Sequence, residues 1–231
     1  MASELHSFEN GAALAEALAD TVAAALSSAI AARGKAILAV SGGSTPKAFF
    51  KALSTRPLDW NLVTVTLVDE RYVAADNPRS NHLLVATHLL QNAAAVARFV
   101  PLYRDGLDAE TAAAAVTAET AHSYPFDVVI LGMGNDGHTA SFFPGGSQLA
   151  EALNLALPRR VMTMEAEAAG EPRLTFSFSS LHDAHLLVLH IEGAEKQAVL
   201  ERARAGHDEA EMPIRAVLDR AATPPAIYWA P

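Results

Sequence analysis

The feature that most constrains this chain is an alternation. Short runs of apolar and β-branched residues each meet a loop of glycines, hydroxyls or charges, and helical stretches lie between them. "KAILAV" (35–40) runs into "SGGSTP" (41–46), where Pro46 suits the first turn of a following helix. "LVTVTLV" (62–68) ends at "DER" (69–71), and "FDVVILG" (126–132), the most apolar run, opens "GMGNDGHTASFFPG" (132–145). "RLTFSF" (173–178), "HLLVLHI" (185–191) and "AIYWA" (226–230) are further strand candidates. Helices are expected over 12–32, closed by Gly34, and over 80–92, 108–122 and 195–205. Strands alternating with helices imply an α/β fold, a parallel sheet with helices on both faces. Ligands bind such sheets beyond the carboxyl ends of the strands. The loops at 41–46, 69–71 and 132–145 all follow strands directly, so they are expected to line one edge.

Composition narrows the class. The chain has 231 residues, 51% of them hydrophobic, enough for one domain over 1–231 with a substantial core. No repeat, low-complexity linker or shift in composition divides it. The absence of cysteine excludes disulfides, thiolate catalysis and Cys-based metal sites. The first ten residues lack the basic-then-apolar pattern of a signal peptide, which agrees with a cytoplasmic protein. The Ala-rich run over 12–33 carries Glu16, Asp20, Ser27 and Ser28 and is expected to be a poor membrane span. A net charge of −9 without any Lys/Arg block argues against a broad nucleic-acid surface. A few basic groups and backbone N–H donors that converge can still bind an anion.

Each loop carries its own chemistry. In "SGGSTP", Gly42 and Gly43 let backbone approach a ligand, Ser41, Ser44 and Thr45 add hydroxyls, and a helix N-terminus follows. Phosphate is the natural guest; a plain tight turn with a hydroxyl cap is the bland alternative. The loop is not a Walker motif, since the Gly-Lys-Ser/Thr ending is missing. "DER" is either a solvated strand end or a device that points Arg71 over the sheet edge toward a carbonyl or phosphate oxygen, with Asp69 or Glu70 holding it. In "GMGNDGHTASFFPG", Gly132, Gly134 and Gly137 imply unusual backbone angles around Asp136 and His138. Asp136, two residues from His138, can orient its imidazole or bind a substrate hydroxyl. Imidazole titrates near neutrality, so His138 is the candidate general base.

The remaining basic residues say less. His182, His185 and His190 suggest a metal site by count, but no carboxylate cluster completes one, so no metal or cofactor is expected. His82 and His88 are expected on a helix face. Lys196 falls in the first turn of a helix after a strand, well placed for phosphate or simply exposed, and Arg173 is ambiguous by itself.

Taken in order, "SGGSTP", "DER", "GMGNDGHTASFFPG", "RLTFS" and "GAEK" resemble the 6-phosphogluconolactonase family across nearly the whole chain. The wider superfamily includes glucosamine-6-phosphate deaminases, which typically carry Tyr where this chain has Arg71. After Gly-His they have a Phe-Asn-Glu-Pro-like run, where this chain has residues 139–144 without a carboxylate. The lactonase family usually has Leu at the place of Phe142 and often Tyr at that of His82. The resemblance implies a single-domain, modified Rossmann-like α/β fold with a mainly parallel sheet. It implies hydrolysis of 6-phospho-D-glucono-1,5-lactone to 6-phospho-D-gluconate, a step of the oxidative pentose phosphate pathway, without metal or organic cofactor. His138 would act as base, Asp136 as its orienter, and Arg71 or loop N–H groups as oxyanion donors. Ser41, Gly42, Gly43, Ser44, Thr45, Asp69, Arg173 and Lys196 would hold the substrate and its phosphate. The expected state is a monomer or small homo-oligomer acting on a small sugar phosphate, with neither nucleic acid nor membrane as partner. The alternatives are a deaminase or isomerase of amino sugar phosphates and a non-catalytic phosphosugar-binding module.

Overall fold

The computed structural model describes residues 3–231. Strands β1 (Leu5–Ser7), β2 (Ala36–Val40), β3 (Val63–Leu67), β4 (Asp69–Arg71), β5 (Arg98–Val100), β6 (Val128–Leu131), β7 (Val161–Met164), β8 (Arg173–Phe176), β9 (Leu186–Glu192) and β10 (Ala226–Ala230) form two sheets. Between them lie helices α1 (Gly11–Arg33), α2 (Lys47–Ser54), α3 (Asn81–His88), α4 (Ala109–Thr120), α5 (Leu149–Ala152), α6 (Phe178–Leu181), α7 (Ala194–Arg204) and α8 (Ile214–Arg220).

The larger sheet has the order β1-β10-β9-β6-β2-β3-β5, and every pairing in it is parallel. Every residue of β2 and β6 is buried, as befits central strands covered on both faces. Helix α1 starts at Asn10, whose side chain accepts the Ala13 N–H, and stops at Gly34, whose left-handed backbone (φ 71°) ends the helix. By length and composition α1 is apolar enough to cross a membrane, a test that a core helix also passes. In the fold it packs against β2, β6 and β10 and buries Leu14, Leu18, Val22 and Leu26.

The run at 173–178 lies outside the larger, parallel sheet. As β8 it pairs antiparallel with both β4 and β7 in a separate three-stranded sheet, order β4-β8-β7. "DER" is therefore a short strand, Asp69 opposite Thr175 and Arg71 opposite Arg173. The two sheets join where β3 passes into β4: the Phe176 N–H donates to the Val68 carbonyl at 3.0 Å. Phe176 also meets Phe126 edge-on, with ring centroids 5.3 Å apart. Strands β1, β5 and β7 and helix α8 carry no period strong enough to stand out in sequence; the first three are only three or four residues long.

Candidate active site

The loops that follow β2, β6 and β9, together with β4 and β8, enclose a cavity of about 240 Å³ at the carboxyl edge of the larger sheet. It is lined by Ser41, Gly42, Gly43, Ser44 and Thr45, and by Asp69, Arg71, His138, Arg173 and Lys196. All the expected site residues but one thus share one cavity. Asp136 is the exception: it stands behind His138 rather than on the wall.

His138 is fixed from two sides. Its Nδ1 lies 2.6 Å from Asp136 Oδ1, and its ring tilts against Phe143 with centroids 4.5 Å apart. The His138 backbone N–H also donates to Asp136 Oδ1, at 3.1 Å. Burial opposes ionisation of Asp136, but these bonds and the imidazole's charge outweigh it and bring the carboxyl down to about 2. A carboxylate only accepts, so Nδ1 carries the proton that faces Asp136, and in the neutral ring Nε2 holds the lone pair.

The glycines work differently from expectation. Only Gly137 (φ 80°) of the three has a left-handed backbone. Gly134 is required by space instead, since a Cβ there would sit 2.1 Å from His138 Nδ1 and 2.5 Å from Asp136 Oδ1. In the first loop, Gly43 has φ 97°, whereas a Cβ on Gly42 would strike Asn81 Oδ1 at 1.8 Å.

The carboxylates of "DER" do not hold the Arg71 guanidinium, contrary to the sequence reading. Arg71 Nη1 donates to the Arg79 carbonyl at 2.5 Å, and its Nε is buried without a partner among the described residues. Asp69, buried, accepts from the Ser141 hydroxyl at 2.6 Å and lies 4.0 Å from Arg173 Nη1. Glu70, fully buried, faces away: it accepts the N–H groups of Arg71, Asn81 and His82 and the Ser80 hydroxyl. Burial nevertheless pushes its carboxyl above the ordinary value, since those bonds offset only part of the desolvation. The free N-terminus of α3 is what draws the carboxylate away from Arg71.

Arg173 donates to the Ala169 carbonyl at 2.7 Å, lies over the Phe143 ring, and keeps a buried Nε without a partner among the described residues. Lys196 donates to Asn135, and desolvation lowers its ammonium pKa although Glu195 and Asp136 pull it up. Ser41 donates inward, to the Ile130 carbonyl at 3.0 Å.

Sequence reading missed Asn81 and His190 on the cavity wall. Asn81 donates to the Asp69 carbonyl at 2.9 Å and fills the space Gly42 leaves; its only signal was its place just after a helix-capping Ser80. Of the two departures from the lactonase pattern, Phe142 is wholly buried in the core and His82 packs on Phe99, with centroids 4.8 Å apart. Among the described residues, no group of three or more His, Asp or Glu side chains is placed to hold a metal ion.

A family model described as glucosamine-6-phosphate isomerases/6-phosphogluconolactonase matches residues 9–229. The chain belongs to this family. A 6-phosphogluconolactonase of Rhizobium meliloti (strain 1021) is 66% identical over 100% of both chains. One of Pseudomonas putida is 43% identical over 100% of this chain and 94% of its own. The crystal structure of a 6-phosphogluconolactonase from Shewanella baltica OS155 superposes with a TM-score of 0.94 at 41% identity, covering 99% of this chain and 98% of that one. Family membership fits a wall built from a phosphate-type loop, basic side chains and a carboxylate-held imidazole.

Proposed function

We propose that this protein hydrolyses 6-phospho-D-glucono-1,5-lactone to 6-phospho-D-gluconate, with His138 drawing the proton from the attacking water. The observation that carries this reading is the His138–Asp136 pair at 2.6 Å, its imidazole on a cavity that also holds a glycine loop and the cations Arg71, Arg173 and Lys196. Full-length relatives bearing the lactonase name support it.

The chemistry follows from the donors and acceptors present. Loop N–H groups at Gly42, Gly43, Ser44 and Thr45, with Ser41, Lys196 and Arg173, take the phosphate. Asp69 accepts from a sugar hydroxyl. Water attacks C1 as its proton passes to His138 Nε2, and Asp136 stabilises the imidazolium. Arg71 or loop N–H groups receive the oxyanion. When the tetrahedral centre collapses, the bond from C1 to the ring oxygen breaks and Nε2 returns its proton to that oxygen. The sequence needs no metal or organic cofactor. The enzyme works in the cytoplasm as a monomer or small homo-oligomer, with neither nucleic acid nor membrane as partner.

The test is hydrolysis of lactone generated in place, with spontaneous opening subtracted and a chelator present. Wild type should turn over quickly, and His138→Ala should lose ~10²–10⁴-fold in kcat while still binding substrate. Wild type at the blank rate would overturn the reading, and glucosamine 6-phosphate with ammonia detection would be the next assay.

A further inference from the structure

The loop that carries His138 and the helix that carries Lys196 are clasped together by one side chain. Asn135, next to Asp136 and three residues before His138, is exposed, and both ends of its amide are engaged on α7. Its Nδ2 donates to Glu195 Oε1 at 2.7 Å, and its Oδ1 accepts from Lys196 Nζ. Its backbone carbonyl accepts from Arg202 Nη2 at 3.1 Å, two turns further along the same helix. A carboxylate only accepts and an ammonium only donates, so these partners fix which way the amide points. Glu195 sits in the first turn of α7, where the positive end of the helix favours its charge. As chain neighbours, Glu195 and Lys196 do not face one another on the helix, and Asn135 takes hold of both.

Lys196 is the part of this clasp that reaches the cavity. Desolvation lowers its pKa; Glu195 and Asp136 pull the other way through space, neither of them hydrogen-bonded to it. The group that holds the ammonium is thus an uncharged amide oxygen. An ammonium has three N–H donors, of which Asn135 takes one and two remain for a ligand. A carboxylate in place of that oxygen would grip more strongly, but it would also neutralise the charge on which an incoming anion depends. We propose that Asn135 is a positioning residue for phosphate binding: its neutral side-chain amide holds the Lys196 ammonium at the cavity and leaves the charge free for the phosphate of the substrate. The proposal rests on the sugar-phosphate reading of the cavity. It assigns Asn135 to affinity for the phosphorylated substrate, acting through Lys196 and separate from the proton transfer of His138.

The experiment follows inorganic phosphate binding by calorimetry and steady-state kinetics on 6-phospho-D-glucono-1,5-lactone and unphosphorylated D-glucono-1,5-lactone. Wild type is compared with Asn135→Ala, Lys196→Ala, the two combined, and Asn135→Asp combined with Glu195→Gln, all with thermal midpoints measured. The last combination moves one negative charge from residue 195 onto the ammonium at constant net charge, and it keeps a donor facing residue 135. Asn135→Ala should weaken phosphate binding and raise KM for the phosphorylated lactone by about three- to tenfold, with kcat within about twofold. KM for the unphosphorylated lactone should stay unchanged. In the Lys196→Ala background the same substitution should alter neither phosphate binding nor KM, because the group it positions is gone. Asn135→Asp with Glu195→Gln should keep the wild-type midpoint yet bind phosphate about tenfold more weakly, whereas a purely structural role would be restored by the new ion pair. An equal loss from Asn135→Ala with and without Lys196, or wild-type phosphate affinity in the folded Asn135→Asp/Glu195→Gln protein, would overturn the proposal. Phosphate binding is read without turnover, so a protein that meets these expectations while opening lactone at the blank rate overturns the lactonase reading alone.

Discussion

His138 and Asp136 are two residues apart in sequence, and the loop between them turns the side chains face to face only because Gly134 and Gly137 permit it. Gly134→Ala should therefore act like a displaced base. Its Cβ cannot coexist with the imidazole at 2.1 Å, and a ring displaced by ~1 Å can lower kcat about 10²-fold while phosphate still binds. Steady-state kinetics with phosphate titration separates the two effects. Asp136 also leaves a mark on stability. Its folded pKa of about 2 lies below the ordinary 3.8, so its contribution is fully present above about 4 and is lost as pH falls through about 2. Asp136→Asn should be less stable than wild type near neutrality, and the gap in thermal midpoint should close as pH falls through that window. A constant gap down to pH 2 would show that the carboxylate's charge is not what stabilises.

At the scale of elements, Glu70 decides where α3 begins. It ties β4 to the first turn of α3 through the N–H groups of Asn81 and His82, each at 2.7 Å. Asn81, so placed, packs on Gly42 and reaches the Asp69 carbonyl. Glu70→Gln replaces one of the accepting oxygens with a donor facing donors, a loss of about 1–3 kcal/mol. The thermal midpoint should drop by roughly 2–12 °C for a chain of this size. KM should rise with it, because Asn81 and the Arg71–Arg79 contact shift together. An unchanged KM in the folded variant would detach α3 from substrate binding. "DER" looked in sequence like charges at a strand end; its central residue is a buried helix anchor, and only the helix folding back could reveal that.

Across the whole molecule, the site depends on two sheets meeting. Asp69 and Arg71 on β4 and Arg173 on β8 reach the cavity from the antiparallel sheet, and His138, Lys196 and the glycine loop at 41–46 reach it from the parallel one. Phe176, wholly buried against Phe126 and Tyr124, sits at the seam. Phe176→Ala should cost about 3–5 kcal/mol and lower the midpoint by roughly 6–20 °C. Calorimetry should still show one transition if the sheets share a single core; two transitions would mean that they fold apart.

The sequence by itself determined the strands with long apolar runs, their alternation with helices, and the loops that line the cavity. Each of these is written in consecutive residues: burial sets the period, and glycines, hydroxyls and the His-Asp spacing are local. Tertiary structure alone decided that 173–176 runs antiparallel in a second sheet, that Glu70 turns from Arg71 to α3, and that Asn81 and His190 stand on the cavity wall. The physical reason is the same in each case. Periodicity reports that a residue is buried, but strand direction, the partner of a buried polar group and the depth of a cavity depend on chain segments tens of residues away.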